Sequence, residues 1–249
     1  MADEGNPRPL GVQGSAFPPT RWSMVLQIRD TARREEALED ICRTYWGPLY
    51  AYVRRLPEGR EPEDAKDLVQ GFIQRLLERD DFVRLAPEKG KLRTFLLTAL
   101  RNHIIKQAQH DRAQKRGSGR ATVSIDIEEA ERLCGPDLAE GVRPEIAFDR
   151  NWGRTLLAQA MQRLGEEYRA MRKQALFEEL SACLDGAAAG DYEAVGVKLG
   201  MKANAVGVAV FRMKKRLREL VLAGAEETVG DRVQAEAEVG ELMTLLAGR

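Results

Sequence analysis

The sequence predicts an all-α protein of two small helical domains joined by a flexible acidic linker. Apolar residues recur at i, i+3 and i+4 intervals through both halves, and no segment alternates as a half-buried strand does. An acidic, irregular stretch divides two helical regions that each end in basic residues. At 249 residues the chain is long enough for two domains that each bury a core. The predicted boundaries are a disordered tail over residues 1–18, a first domain over 19–117, a linker over 118–146, a second domain over 147–222 and an acidic extension over 223–249.

Residues 1–18 are rich in Gly and Pro and lack apolar periodicity, as a disordered tail does. From Thr20 a helical pattern begins with Trp22, Val25, Leu26 and Ile28, and a second runs through Ala37, Leu38, Ile41, Tyr45, Leu49, Tyr52 and Val53. Pro48 lies inside the second, which predicts a kink or restart near Trp46 and Gly47. A turn over residues 57–59 leads to a helix opening on Pro62, Glu63 and Asp64, its acids at the positive end of the dipole. That helix buries Ala65, Leu68, Val69, Phe72, Ile73, Leu76 and Leu77 and turns Asp64, Asp67, Gln70, Gln74 and Glu78 outward. The next, over residues 94–116, starts apolar and then gathers Arg101, Lys106, Arg112, Lys115 and Arg116 against the single acid Asp111. Such a run suits a polyanion.

Gly117, Ser118 and Gly119 break that helix, and residues 121–145 are acidic through Asp126, Glu128, Glu129, Glu131, Asp137, Glu140 and Glu145, the composition of a solvated connector. Pro144 and Glu145 mark a new start, followed by Phe148, Trp152, Leu156, Ala160 and Leu164 at helical spacing. Tyr168, Leu176, Phe177, Leu180 and Leu184 suggest a further helix, closed by Asp185, Gly186 and Gly190.

The most specific local pattern is DYEAVGVKLGMKANAVGVAVFRMKKRL. A helix-turn-helix needs a small residue where its helices touch, a glycine in the turn and apolar residues at fixed offsets, and Val195, Gly196, Leu199, Gly200, Met201, Val206 and Ala209 meet that need. Asp191 is placed to cap the first helix; the second starts near Ala203 and runs into Arg212, Lys214, Lys215, Arg216 and Arg218, a basic end for phosphates. An ordinary αα-hairpin with a solvated basic end is the competing reading. Beyond it, Val229, Val233, Leu242, Leu245 and Leu246 give the acidic extension an apolar side, which either folds back to shield the basic helix or extends the core.

Composition narrows the classes. Thirty-nine basic and 39 acidic residues give zero formal net charge, so nucleic-acid affinity rests on segregated charge. Cys42, Cys134 and Cys183 have no CxxC spacing, which argues against a zinc site or disulfide framework and for a reducing, cytoplasmic compartment. No apolar run approaches the roughly 18 residues of a membrane span, and no secretory signal pattern opens the chain. His103 and His110 have no acid or cysteine at ligand or triad spacing, and no carboxylate pair stands out, so the chain reads as neither an enzyme nor a metal or cofactor binder.

Several motifs together carry a family resemblance: TRWSMVLQIRD, YWGPLYAYVRRL, DAKDLVQGFIQRLLERDDF and GKLRTFLLTALRNHI, then ALFEEL and the helix-turn-helix pattern. In content and order they resemble bacterial RNA polymerase sigma factors of the extracytoplasmic-function type, particularly the group common in planctomycetes, from about residue 18 onward. The resemblance implies that Asp64, Asp67, Leu68, Gln70 and Gln74 dock on the clamp helices of the polymerase β′ subunit. It implies that the helix over residues 94–116 melts the minus-ten promoter region, Asn102 capturing a flipped base while Arg101, Lys106, Arg112, Lys115 and Arg116 follow the strand. Phe95 is a stacking or a core residue. The acidic linker would thread the polymerase cleft. Lys202, Asn204, Arg212, Lys214, Lys215 and Arg216 would meet the minus-thirty-five element, in a domain that also touches the β flap, and an anti-sigma protein is a conceivable partner. Here the chain departs from the commoner pattern, because Lys202, Ala203, Asn204, Gly207, Val208 and Phe211 offer few groups able to read base edges, so phosphate contacts and DNA shape carry more of the recognition. The rival readings are a stand-alone helix-turn-helix regulator of duplex DNA and a helical adaptor for a protein partner.

Overall fold

The computed structural model describes residues 34–56, 61–78, 92–113, 127–135, 138, 141–184, 189–229 and 231–246. Among them the chain is helical and holds no strand, as the periodicity predicts. The helices are α1 (Arg34–Arg54), α2 (Pro62–Glu78), α3 (Leu92–Ala113), α4 (Ile127–Cys134), α5 (Pro144–Ala170), α6 (Gln174–Ser181), α7 (Ala189–Leu199), α8 (Ala203–Val229) and α9 (Arg232–Leu246). The expected tail, the helix from Thr20, the turn at 57–59, the glycines at 117–119 and the cations Lys115 and Arg116 lie outside the described residues, as do the side chains of Asp111 and Arg112.

Helix α1 runs through Pro48 as one element, without the expected restart. Its buried face, Ile41, Tyr45, Leu49, Tyr50 and Val53, meets Ala65, Val69 and Phe72 of α2 and Leu92, Leu96 and Leu100 of α3. The same core takes in Phe148, Trp152 and Leu156 from the start of α5 and Ala225 and Val229 from the end of α8. A second core joins Ala160 and Leu164 of α5 to Leu180, Val195, Val206, Val210, Met213 and Leu220. Helix α5, with 27 residues, is about 40 Å long, enough to reach from one core into the other. α8 spans the same two cores, so each long helix belongs to both.

Part of the segment expected as an irregular connector is helix α4. It docks by charge on α1: Glu131 accepts hydrogen bonds from Arg54 at 2.7 and 3.0 Å and from the Tyr50 hydroxyl. These bonds, Arg54's foremost, hold the Glu131 carboxyl below its ordinary range. Cys134 at the end of α4 is buried, and Asn151 of α5 donates to its Sγ at 3.3 Å.

Two close approaches fix α5 in place. A Cβ on Gly47 would sit 2.8 Å from Asn151 Oδ1, and one on Gly224 would sit 2.6 Å from Leu156 Cδ1. Asn151 is buried and held by Cys134, so it cannot swing aside. Gly47→Val should therefore overpack the α1–α5 contact and cost about 1–3 kcal/mol, more than the few tenths valine gains over glycine in helix propensity. Gly240→Ala, where nothing lies within 4 Å of the added carbon, should be neutral or mildly stabilising. Urea unfolding of both variants checks the contrast.

Candidate nucleic-acid interface

Helix α3 is two-faced because its apolar residues fall on one side. Leu92, Leu96 and Leu100 are buried, while Thr94, Thr98, Arg101, Asn102, Ile105 and Lys106 are exposed. Between this helix and α2 lies a cleft of about 250 Å³, lined in part by Phe72, Arg75, Phe95, Asn102, His103 and Lys106. It combines an aromatic edge, an amide able to donate and accept, and two cationic side chains. Those are the groups that hold an unstacked base and its phosphate. Asn102 and Lys106, both expected at a DNA strand, line the cleft together. Arg75 and His103 join them without having been expected, since the pairing of α2 with α3 that places them there is a tertiary contact.

His103 is buried against Phe72, with ring centroids 5.8 Å apart, and its Nδ1 lies 3.5 Å from an Arg75 nitrogen. Burial first, and then the Arg75 charge, holds its imidazole below the ordinary value of 6.5. Arg101 points elsewhere. Its Nε donates to the Tyr52 hydroxyl at 2.8 Å, its guanidinium lies 5.7 Å from the Tyr52 ring centroid, and it pairs with Glu145 at the start of α5. Of the α2 residues expected at a partner surface, Asp64, Asp67 and Gln74 are exposed and Gln70 is half-buried. Gln74 donates to Glu78 at 2.9 Å. Leu68 is turned into the core.

The second face is the α7–α8 pair, whose axes bend by 98°, within the range of helix-turn-helix units. Gly200 sits in the turn at φ +65°, and the Met201 N–H donates to the Gly196 carbonyl at 2.8 Å. A Cβ on Gly196 would lie 2.5 Å from the Met201 carbonyl oxygen, so a small residue is required where the spacing places it. Helix α8 starts at Ala203 as expected, whereas α7 starts at Ala189, so Asp191 lies inside its first turn and not at its cap.

On α8 the exposed side chains are Lys202 just before its start, then Asn204, Ala205, Val208, Phe211, Arg212, Lys214, Lys215, Arg218 and the acid Glu219. A groove of about 720 Å³ runs beside the first of these, with Tyr168, Met171 and Lys173 on its far wall. Phe211 is 70 % exposed, an apolar group among cations. Arg216 is committed inside the protein: it donates to both Glu167 oxygens at 2.6 and 3.0 Å and to Glu219 at 3.0 Å. These bonds raise its pKa further above the ordinary value.

The acidic extension does not shield this basic surface. Helix α9 buries Ala235, Glu238 and Leu242 against α5 and the later turns of α8, and Lys202, Arg212, Lys214 and Lys215 stay exposed. Of its two expected roles, the structure takes the extension of the core.

Burial pushes the Cys134 thiol up to about 12 and the Cys42 thiol up to about 11, so neither is a thiolate near neutral pH. No group of three metal-binding side chains occurs among the described residues, nor is any single helix there long and apolar enough to cross a membrane. Compared with known protein families, curated proteins and solved structures, the chain gives no significant match.

The His103 environment predicts a pH dependence. Its folded pKa lies below the unfolded value of about 6.5, so as pH falls through that value the unfolded chain takes up the proton first. Stability is lost until the folded pKa is passed. His103→Gln should lose less stability than the parent between about pH 7.5 and 5, measured by urea unfolding at each pH.

Proposed function

We propose that the chain is a sigma factor of the extracytoplasmic-function type, which binds core RNA polymerase, opens promoter DNA and directs transcription initiation. The observation that carries this reading is the α2–α3 cleft, where Asn102, Lys106, Arg75 and Phe95 line a space suited to one unstacked base. A regulator of intact duplex has no use for such a cleft. The helix-turn-helix, with its exposed cations at Lys202, Arg212, Lys214 and Lys215, supplies a separate duplex-binding face for the minus-thirty-five element. On this reading the exposed Asp64, Asp67 and Gln74 form the polymerase contact of α2, to the β′ clamp helices, and the helix-turn-helix half also meets the β flap. The two-domain organisation with an acidic linker belongs to the same proposal, as does a cytoplasmic location.

The reading requires the α3–α5 contact to yield. Arg101 reaches a DNA strand only by leaving Glu145, and a linker that threads polymerase must release α4 from Arg54. The stand-alone helix-turn-helix regulator is the second reading. It is favoured by one observation: α5 and α8 each contribute to both cores, so the two halves are tied together by the same two helices.

Transcription from a promoter template by core polymerase plus the purified chain tests the proposal. Promoter-dependent transcript is expected, and failure to bind core together with tight duplex binding would favour the regulator. Asn102→Ala should weaken promoter opening by about 1–3 kcal/mol while leaving core binding intact. Glu145→Gln, by freeing an exposed arginine, should raise single-strand affinity only a few-fold, consistent with about 0.2–1 kcal/mol for such a pair.

A further inference from the structure

The groove between α8 and α9 is absorbed by neither reading. It has a volume of about 540 Å³, within the range of small-molecule sites. Its walls are aliphatic: Leu217, Val221 and Leu222 on α8, Leu157 on α5, and Val239 and Met243 on α9. Gly240 also faces it, and nothing lies within 4 Å of a Cβ built there, so the α9 wall is set back at that point. Met243 is 54 % exposed, an apolar surface left beside the opening.

The polar groups of the groove are unevenly answered. Lys214 and Arg218, one helical turn apart on α8, both line it, are exposed and make no ion pair among the described residues. The acid on the opposite wall, Glu236, faces Arg232 at 3.6 Å. The adjoining Arg216 is held by Glu167 and Glu219. What remains is an aliphatic slot with two unanswered cations at its edge. Among the described residues no aromatic ring lines it, so they offer no surface for base stacking.

We infer that this groove binds a free amphipathic carboxylate of the fatty-acid class, its alkyl chain lying between α8 and α9 and its carboxylate meeting Lys214 and Arg218. The chain leaves water against Leu217, Val221, Val239 and Met243, and the head group forms charge-assisted hydrogen bonds with the two cations. This inference does not rest on the transcription reading, although Lys214 at the groove's edge is shared with the duplex-binding face proposed there.

Titration of the full-length protein with dodecanoate below its micelle concentration, followed by calorimetry and thermal melting, tests the inference. Saturable one-to-one binding with a raised melting temperature is expected. The Lys214→Gln/Arg218→Gln double variant should bind at least ten-fold more weakly, and dodecanol should bind the parent more weakly than dodecanoate. Gly240→Leu fills the slot at an exposed helical position where leucine outranks glycine in propensity, so it should fold and lose binding. No saturation by dodecanoate, undiminished binding in a folded Gly240→Leu protein, or binding to phosphatidylglycerol vesicles alone would each overturn the inference.

Discussion

The arrangement depends on how closely α5 lies against α1. Two helices approach this tightly only where a side chain is missing, and Gly47 supplies the gap that Asn151 fills. With the helices so near, Phe148, Trp152 and Leu156 reach the core that α1, α2 and α3 build, and Trp152 is fully buried there. Everything downstream inherits its position from that contact. The far end of α5 carries Leu164 into the second core, and α8 returns along it with Ala225 and Val229 in the first.

A buried charge cluster ties a third partner to the same place. Arg93 at the start of α3 pairs with Asp149 of α5 and, at 3.0 Å, with Glu238 of α9, while its guanidinium lies 5.5 Å from the Trp152 ring centroid. The Glu238 side chain is fully buried and that of Arg93 is 13 % exposed. Burial outweighs Arg93 in raising the Asp149 carboxyl above its ordinary range. Such a cluster adds little net stability over an apolar one, but removing its cation would strand buried acids at a cost of about 3–5 kcal/mol. Its effect is to specify which helices meet: α3, α5 and α9 must all come together for all three charges to be answered.

What was legible in the sequence follows from how local each signal is. Helical class, the start of α5 at Pro144, and the helix-turn-helix turn with Gly196 and Gly200 are written in spacing over a few residues, and the structure holds them there. Asn102 and Lys106 were legible as neighbours because they lie one turn apart on α3. Arg75 could not be read into the same cleft, since nothing in its own helix says that α2 will lie beside α3. Glu131 likewise reads as one acid among many in a connector until Arg54 and Tyr50, far away in sequence, are seen to face it. Leu68 was placed both on a buried face and at a partner surface, and the packing chooses the buried face.

Charge segregation is the remaining constraint, and it operates in space more than along the chain. Counting basic residues on α3 and α8 treats their cations as equivalent, yet the fold divides them. Arg54, Arg93, Arg101 and Arg216 each face a carboxylate from another helix, so their charge is spent on holding α4, α5 and α9 in place. Lys106, Lys202, Arg212, Lys214, Lys215 and Arg218 are exposed and make no ion pair among the described residues. A polyanion meets the second set, not the first. Five of those six lie between residues 202 and 218 at the helix-turn-helix, so of the described cations on α3 and α8 the unanswered ones gather on α8. Lys106 stands apart at the α3 cleft, where it and Arg75 beside Asn102 suit a single nucleotide better than a long run of duplex.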